Sequence, residues 1–360
     1  MRISRSLVLA SIACSLALAA PTTSAQAPAG AAPPVKKFRV LLPFRDGITF
    51  FPISTANQLG YLKEEGIDLD LQVANGSSAV VQQLAAGNAQ IGVILAPNTL
   101  LGFAEGVKYK GFYDFLTKNS FDVRVAADSP VAKLADLKGK NIGTIDLTRG
   151  DLPLLRAQLQ RTGINPSRDV TFVALGPAMN MHAAALKDGK VQALNLSWNN
   201  TVSVESVGGK LKCITCDSQE LQLASETTVA TDAVFRSDRR YLIGFGRALA
   251  KATLFAETNL DAAIAVMKKV APQEHTDPAY TKVFFNAALA IMKPRQPGKY
   301  GMHDIGGWDR LQDFMSVPTE GATGMTTKVD TKQLITNELI DEINKFDADA
   351  VRKQAREFKG

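Results

Sequence analysis

The feature that most constrains this chain is a strand–helix alternation that runs once, then starts again about a hundred residues later. Phe38-Arg39-Val40-Leu41-Leu42 predicts a strand, and residues 53–65 predict a helix closed by Gly66. Ile67, Leu69, Leu71 and Val73 then alternate with acidic or polar residues, as in a strand with one buried face. Asn75-Gly76-Ser77-Ser78 makes a turn, and Val80, Val81, Leu84 and Ala85 give the following helix its apolar side, up to Gly87. Residues 91–95 predict the next strand.

The second pass has the same order. Asn141-Ile142-Gly143-Thr144-Ile145 predicts a strand, and Leu152, Leu155 and Leu159 mark a helix ending at Gly163. Residues 170–175, 180–187 and 191–196 follow as strand, helix and strand. Gly66 answers Gly163 at an offset of 97, and Gly87 answers Gly189 at 102. Ordered matches of this kind predict two α/β lobes, each a β-α-β-α-β sheet of mostly parallel strands. Extended segments at 121–125 and 227–231 mark where the chain crosses to the second lobe and returns. Longer helical patterns follow, the longest at 237–257, and Leu334, Ile335, Leu339 and Ile343 mark a last amphipathic helix. The expected organisation is a first lobe at 37–124 plus 228–350, a second at 125–227 and a charged tail at 351–360.

The N-terminus assigns a compartment. Arg2 and Arg5 precede an apolar run at 7–20 and then Pro21-Thr22-Thr23-Ser24-Ala25, the pattern of a signal peptide cleaved after Ala25. At 14 residues the run is shorter than the ~20 a membrane-spanning helix needs. A lipid anchor at Cys14 is the weaker reading, because Ser11 stands where a lipoprotein box has Leu. Residues 26–36 are expected to be a flexible leader. The expectation is an exported, periplasmic protein. Its 360 residues, 46% apolar and 21% charged, suit two full-sized lobes, and its basic residues occur at most in pairs, which argues against nucleic-acid binding.

In open α/β sheets ligands bind beyond the carboxyl ends of the strands. The loops there carry Arg45-Asp46-Gly47 with Phe50 and Phe51, Asn75-Gly76 with Ser77 and Ser78, Pro97 with Asn98 and Thr99, Thr148 and Arg149 with Gly150-Asp151, Pro177-Ala178-Met179 with Asn180, and Ser197 with Trp198, Asn199 and Asn200; Thr228 lies on the return segment. Helix N-termini with Ser, Thr and Asn side chains favour an anionic or carbonyl group. Arg149 is the candidate cation, by bidentate pairing. One of Phe50 and Phe51 is expected in the core and the other at the cleft, and Trp198 is expected as a stacking wall. Each has an alternative use: Ser77, Ser78 and Thr148 as helix caps, Arg149 as an ion-pair partner of Asp146 or Asp151.

Little points to catalysis. His182, His275 and His303 lack metal-ligand spacing, and no nucleophile elbow or phosphate loop is present. Cys213-Ile214-Thr215-Cys216 falls in a predicted strand, where residues three apart face opposite ways, so two thiols are favoured over a disulfide unless a turn intervenes.

Four stretches carry a resemblance to a known group: Asn57-Gln58-Leu59-Gly60-Tyr61-Leu62-Lys63-Glu64-Glu65-Gly66-Ile67-Asp68-Leu69, Leu84-Ala85-Ala86-Gly87-Asn88-Ala89-Gln90-Ile91-Gly92, Leu134-Ala135-Asp136-Leu137-Lys138-Gly139-Lys140-Asn141-Ile142-Gly143 and Ala185-Leu186-Lys187-Asp188-Gly189-Lys190-Val191-Gln192-Ala193. With them the chain resembles the substrate-binding proteins of ABC importers of the nitrate, alkanesulfonate and taurine type, related to thiamine-pyrimidine synthases. The resemblance implies a two-lobed type II periplasmic-binding fold with the ligand cleft between the lobes. It further implies hinge closure on a small-molecule solute, delivery to a permease in the inner membrane, a monomer, no cofactor and no enzymatic activity; the cysteine-rich motif of the synthases is missing. The family commonly has Asp where Gln90 and Gln192 stand, and Trp-Glu-Pro near Ser197-Trp198-Asn199. Losing that Glu counts against an amine ligand. The expected ligand is an organic anion such as an aromatic carboxylate or a sulfonate; a neutral heterocycle such as a pyrimidine, and delivery to a membrane sensor, stay open.

Overall fold

The computed structural model describes residues 34–45, 47–147, 151–216, 223–274, 277–316, 325 and 327–360. The predicted signal peptide, most of the leader, Thr148, Arg149 and His275 lie outside the described residues. No helix among the described residues is long and apolar enough to cross a membrane.

Among the described residues, ten strands form two five-stranded sheets. The first contains β1 (Lys36–Leu42), β2 (Ile67–Val73), β3 (Ile91–Leu95), β4 (Tyr109–Leu116) and β10 (Glu226–Thr231), in the order β2-β1-β3-β10-β4. The second contains β5 (Phe121–Ala126), β6 (Asn141–Thr144), β7 (Thr171–Ala174), β8 (Ala193–Ser197) and β9 (Leu211–Cys213), in the order β7-β6-β8-β5-β9. In each sheet the first three strands of that order run parallel, and the fourth is antiparallel to both neighbours. That fourth strand is the crossing segment each time, β5 on the way out and β10 on the way back. The sheets are therefore mixed, and the mixing comes from the crossovers.

Helices α1 (Phe51–Gln58), α2 (Tyr61–Glu64), α3 (Ser77–Ala85) and α4 (Ala96–Ala104) belong to the first pass. The second pass has α5 (Leu152–Arg161), α6 (Met179–Lys187) and α7 (Trp198–Gly208). The predicted helix over 53–65 is two helices, because Gly60 adopts the left-handed conformation (φ 81°) and turns the chain between them. The 102-residue offset holds residue for residue over α3/α6 and β3/β8, each pair of equal length. Gln90 and Gln192, where the resemblance expected Asp, occupy matching positions: the Oε1 of each accepts the main-chain N–H of Arg39 (2.8 Å) or Asn141 (3.0 Å) at the neighbouring strand. They join neighbouring strands.

After β10 come α8 (Asp232–Ser237), α9 (Arg239–Thr258), α10 (Leu260–Val270), α11 (Pro278–Met292), α12 (Ile305–Met315), α13 (Thr331–Leu334), α14 (Ile340–Ile343) and α15 (Ala348–Glu357). Leu242, Phe245, Leu249 and Phe255 of α9 pack with Phe38, Val40 and Phe112 of the first sheet. Trp308, Leu311 and Leu334 pack with Val80, Leu84 and Ile94 in a second cluster. The predicted last helix is broken between α13 and α14, since Ile335 leaves the helix to bridge Gly111 of β4. Much of the charged C-terminal end is α15, whose Val351 and Ala355 are buried.

Candidate functional site

A cavity of about 230 Å³ opens where the carboxyl ends of the two sheets meet. From the first sheet it is lined by Pro43, Phe44 and Arg45 after β1, Asn75, Gly76 and Ser77 after β2, and Leu95 at the end of β3. From the second come Ile145 and Asp146 after β6, Pro177 after β7, Ser197 at the end of β8, and Asn199 and Asn200. This is where open α/β sheets place ligands.

Of the side chains singled out as candidates, Ser77 and Asn199 line the cavity, and Arg45, Asn75, Gly76, Pro177, Ser197 and Asn200 of the expected loops line it with them. Ser77 is the first residue of α3, not its cap; its Oγ accepts the N–H of Leu95 (3.2 Å) and ties the end of β3 to the helix start. Ser78 is exposed and accepts from Asn98 Nδ2 (3.0 Å), while Asn98 is buried in the first turn of α4. Asn180 is exposed on α6.

The aromatic expectation needs correction. Phe50 and Phe51 are both core residues: Phe50 packs on Phe44 and Phe115, and Phe51 on Phe285. Adjacent rings here lie on two sides of one hydrophobic core, and the ring at the cavity is Phe44. Trp198 opens α7 and packs against Phe284 at 4.7 Å between ring centres, facing the C-terminal helices. Thr228 is interior to the first sheet, in register with Val93 and Tyr113. The segments Pro97-Asn98-Thr99 and Trp198-Asn199-Asn200, read as loops, are helix starts. Ala96 and Trp198 follow directly on buried strands, and apolar strand runs hide where a helix takes over.

Missed altogether was the contact between the two crossovers. Ser120 Oγ and Ser225 Oγ are 3.4 Å apart and buried. The Ser120 carbonyl accepts the N–H of Trp198 (2.9 Å), the first residue of α7, and the Ser225 carbonyl accepts that of Ala96 (2.6 Å), the first residue of α4. Each crossover thus ties the start of one helix beside the cavity. The only sequence cue was the 102-residue offset of Ala96 and Trp198.

Among the described residues, the ionisable lining consists of Arg45 and Asp146, on opposite lobes. Arg45 is exposed. A separate titratable cluster lies inside the first lobe. Asp114 on β4 faces Arg295 (3.5 Å) and His303 (3.8 Å), and burial pushes its carboxyl up to about 8 despite the guanidinium. Burial holds His303 down at about 3.

Cys213 and Cys216 form a disulfide with Cα atoms 5.6 Å apart, against the expectation of two thiols. β9 ends at Cys213 and the chain bends through Ile214 and Thr215, supplying the turn that a continuous strand would deny.

Comparison with known proteins places this architecture. A 132-residue segment is 33% identical to a protein of Brucella abortus (strain 2308) named only as a binding protein, covering 37% of this chain and 40% of that relative. A solved structure from Bordetella bronchiseptica RB50 superposes with a TM-score of 0.67 at 20% identity, over 86% of this chain and 97% of the other. The alkanesulfonate-binding protein SsuA of Xanthomonas axonopodis pv. citri, bound to MOPS, gives 0.60 at 17% identity, over 87% and 99%. These likenesses are of fold: two lobes, as in periplasmic binding proteins. The model of the NMT1/THI5-like family matches residues 48–263, more than half of the sequence, and the chain belongs to that family.

Proposed function

We propose that this protein is an exported solute receptor that closes its two lobes on a small organic anion, such as an aromatic carboxylate or a sulfonate, and delivers it to an ABC import permease. The observation that carries the reading is the cavity between the carboxyl ends of the sheets, lined from both and bearing the Arg45 guanidinium. Its volume, about 230 Å³, is below the roughly 300–1,000 Å³ of pockets for drug-sized ligands, so the solute is small. Arg45 is a candidate cation in addition to Arg149, which lies outside the described residues. The start of α3 at Ser77 adds main-chain N–H groups to the same wall, which favours an anion. The MOPS bound to the Xanthomonas neighbour supports the sulfonate arm. The protein binds its solute as a monomer and returns it unchanged.

A neutral heterocycle such as a pyrimidine is the second reading, supported by the Phe44 ring and the amides of Asn75, Asn199 and Asn200 in the lining. A thermal-shift screen of the purified protein against aromatic carboxylates, sulfonates, taurine, nitrate and pyrimidines tests both. A true ligand at 100 times its dissociation constant adds about 2.7 kcal/mol and raises the melting point by several degrees. Arg45→Ala then separates the readings. An anion loses tenfold or more in affinity, whereas an unchanged dissociation constant transfers the function to the heterocycle. Recovery of a chemically altered ligand would sink the receptor reading.

A further inference from the structure

The Cys213–Cys216 disulfide is absent from the cavity lining, and solute capture makes no use of it. Its surroundings are unequal. Arg124 Nη2 on β5 donates to Cys216 Sγ at 3.4 Å and to Asp122 Oδ2 at 2.8 Å, and Arg124 Nε is buried with no acceptor among the described residues. Cys213 Sγ has instead the Thr215 hydroxyl, at 3.8 Å. A disulfide sulfur is a weak, uncharged acceptor, whereas a thiolate is a charged one, so this guanidinium is better satisfied once Cys216 carries a negative charge. Both cysteines are partly exposed. The turn between them is also held by hydrogen bonds: Ile214 N–H donates to the Val123 carbonyl, and Val123 N–H donates to Thr215 Oγ1, both at 3.0 Å. Opened thiols would stay within reach of each other.

We propose that Cys213–Cys216 is a thiol–disulfide exchange site, in which Cys216 is the leaving and resolving thiolate held by Arg124 and the exchange partner is a dithiol. A partner thiolate attacks Cys213 Sγ; the new S–S bond forms as the Cys213–Cys216 bond breaks, and the electron pair leaves on Cys216 beside the guanidinium. The partner's second thiol, losing its proton to solvent, attacks the partner sulfur of the mixed disulfide and frees Cys213, which takes up a proton. The partner ends as a disulfide, oxidised by two electrons, and the receptor as a dithiol. In reverse, the Cys216 thiolate resolves the mixed disulfide. Among the described residues, the charged groups around the sulfurs are Arg124, which favours this thiolate, Asp122, which opposes it, and Lys212, whose Nζ is bonded to the Ser129 carbonyl.

The test is iodoacetamide alkylation of Cys216 in Cys213→Ser across pH, read on the Cys216 peptide by mass spectrometry, with and without Arg124→Gln or Asp122→Asn. An ordinary thiol titrates at about 8.5. The expected midpoint lies a unit or more lower; Arg124→Gln moves it up, for about tenfold less thiolate at neutral pH, and Asp122→Asn moves it down. In wild-type protein the disulfide opens in dithiothreitol while the fold persists, and Arg124→Gln shifts that equilibrium about tenfold toward the disulfide. A midpoint at or above 8.5, charge variants that move it the same way, or a disulfide that opens only on unfolding would each overturn the proposal. Should Arg124→Gln fail to fold, the Cys213→Ser profile and Asp122→Asn decide alone.

Discussion

The two lobes share a frame and differ in what covers it. Both sheets have the same strand order, with the crossing strand fourth, and α3/α6 and β3/β8 match at one offset. The first sheet is buried under helices that follow β10, in clusters running from Phe38 through Phe245 and Phe255 to Trp308. The second rests on two smaller clusters, one around Val123, Ile142 and Leu159 and one around Leu194 and Leu196, with a disulfide at its edge strand. Stability in small units scales with the surface they can bury. The comparison therefore assigns the larger reserve to the first lobe and makes the second the one more easily opened.

Phe255 is fully buried in α9 against Phe358, and Phe255→Ala should cost about 3–5 kcal/mol. Hydrogen exchange should report that loss in amides of the first sheet, leaving those of β6 and β8 protected. An equal loss in both sheets would mean that the lobes unfold as one unit.

Reduction of Cys213–Cys216 should act in the other lobe and more weakly. The bridge closes a loop with a sequence separation of only 3, and chain entropy then gives it about 2 kcal/mol at most. Exchange should quicken in β5 and β9, with β1 and β3 unchanged.

A third contrast is in pH. Asp114, raised to about 8, and His303, lowered to about 3, both lie in the first lobe. Between about pH 4 and 6.5 the native state keeps a proton on Asp114 that the unfolded chain has lost, and lacks one on His303 that the unfolded chain holds, so their effects oppose. Above 6.5 only Asp114 acts: the native state binds the extra proton, and stability falls as pH rises toward 8, by at most about 1.4 kcal/mol per pH unit. Denaturant titrations at pH 6.5 and 8 should show that fall, and Asp114→Asn should flatten it. A fall that survives Asp114→Asn would place its source elsewhere.

How legible these differences were in the sequence depends on what carries each. Alternation at Ile67, Leu69, Leu71 and Val73 and the αL glycines Gly66, Gly87, Gly163 and Gly189 are local signals, and they marked the frame. The site was legible as a location, the strand ends, but less so as residues. Phe50 and Phe51 look like cleft aromatics until the core claims both, and only tertiary packing decides that. Arg45 falls in the loop expected beyond the first strand, but Phe44 beside it has no periodicity to orient it. The 213–216 turn is held by Val123, some ninety residues away, so nothing local could end the strand at Cys213.

The smallest expected effect tests the shared frame itself. Gln90 and Gln192 accept equivalent main-chain N–H groups, from Arg39 and Asn141, but Gln192 also donates from Nε2 to the Gly189 carbonyl at 2.7 Å. The Arg39 bond is exposed, so water replaces Gln90 readily; the Asn141 bond is partly buried. A net hydrogen bond contributes about 1 kcal/mol, and an acceptor lost from a partly buried donor costs more than one lost to solvent. Gln192→Ala should therefore cost about 1 kcal/mol and Gln90→Ala a few tenths, measured as denaturant midpoints at constant slope. Equal costs would mean that the two lobes tolerate loss at matched positions alike, and that the thinner core of the second does not make its strand junctions more sensitive. A larger cost at Gln90 would reverse the ranking, pointing to a junction between β1 and β3 on which the whole first sheet depends.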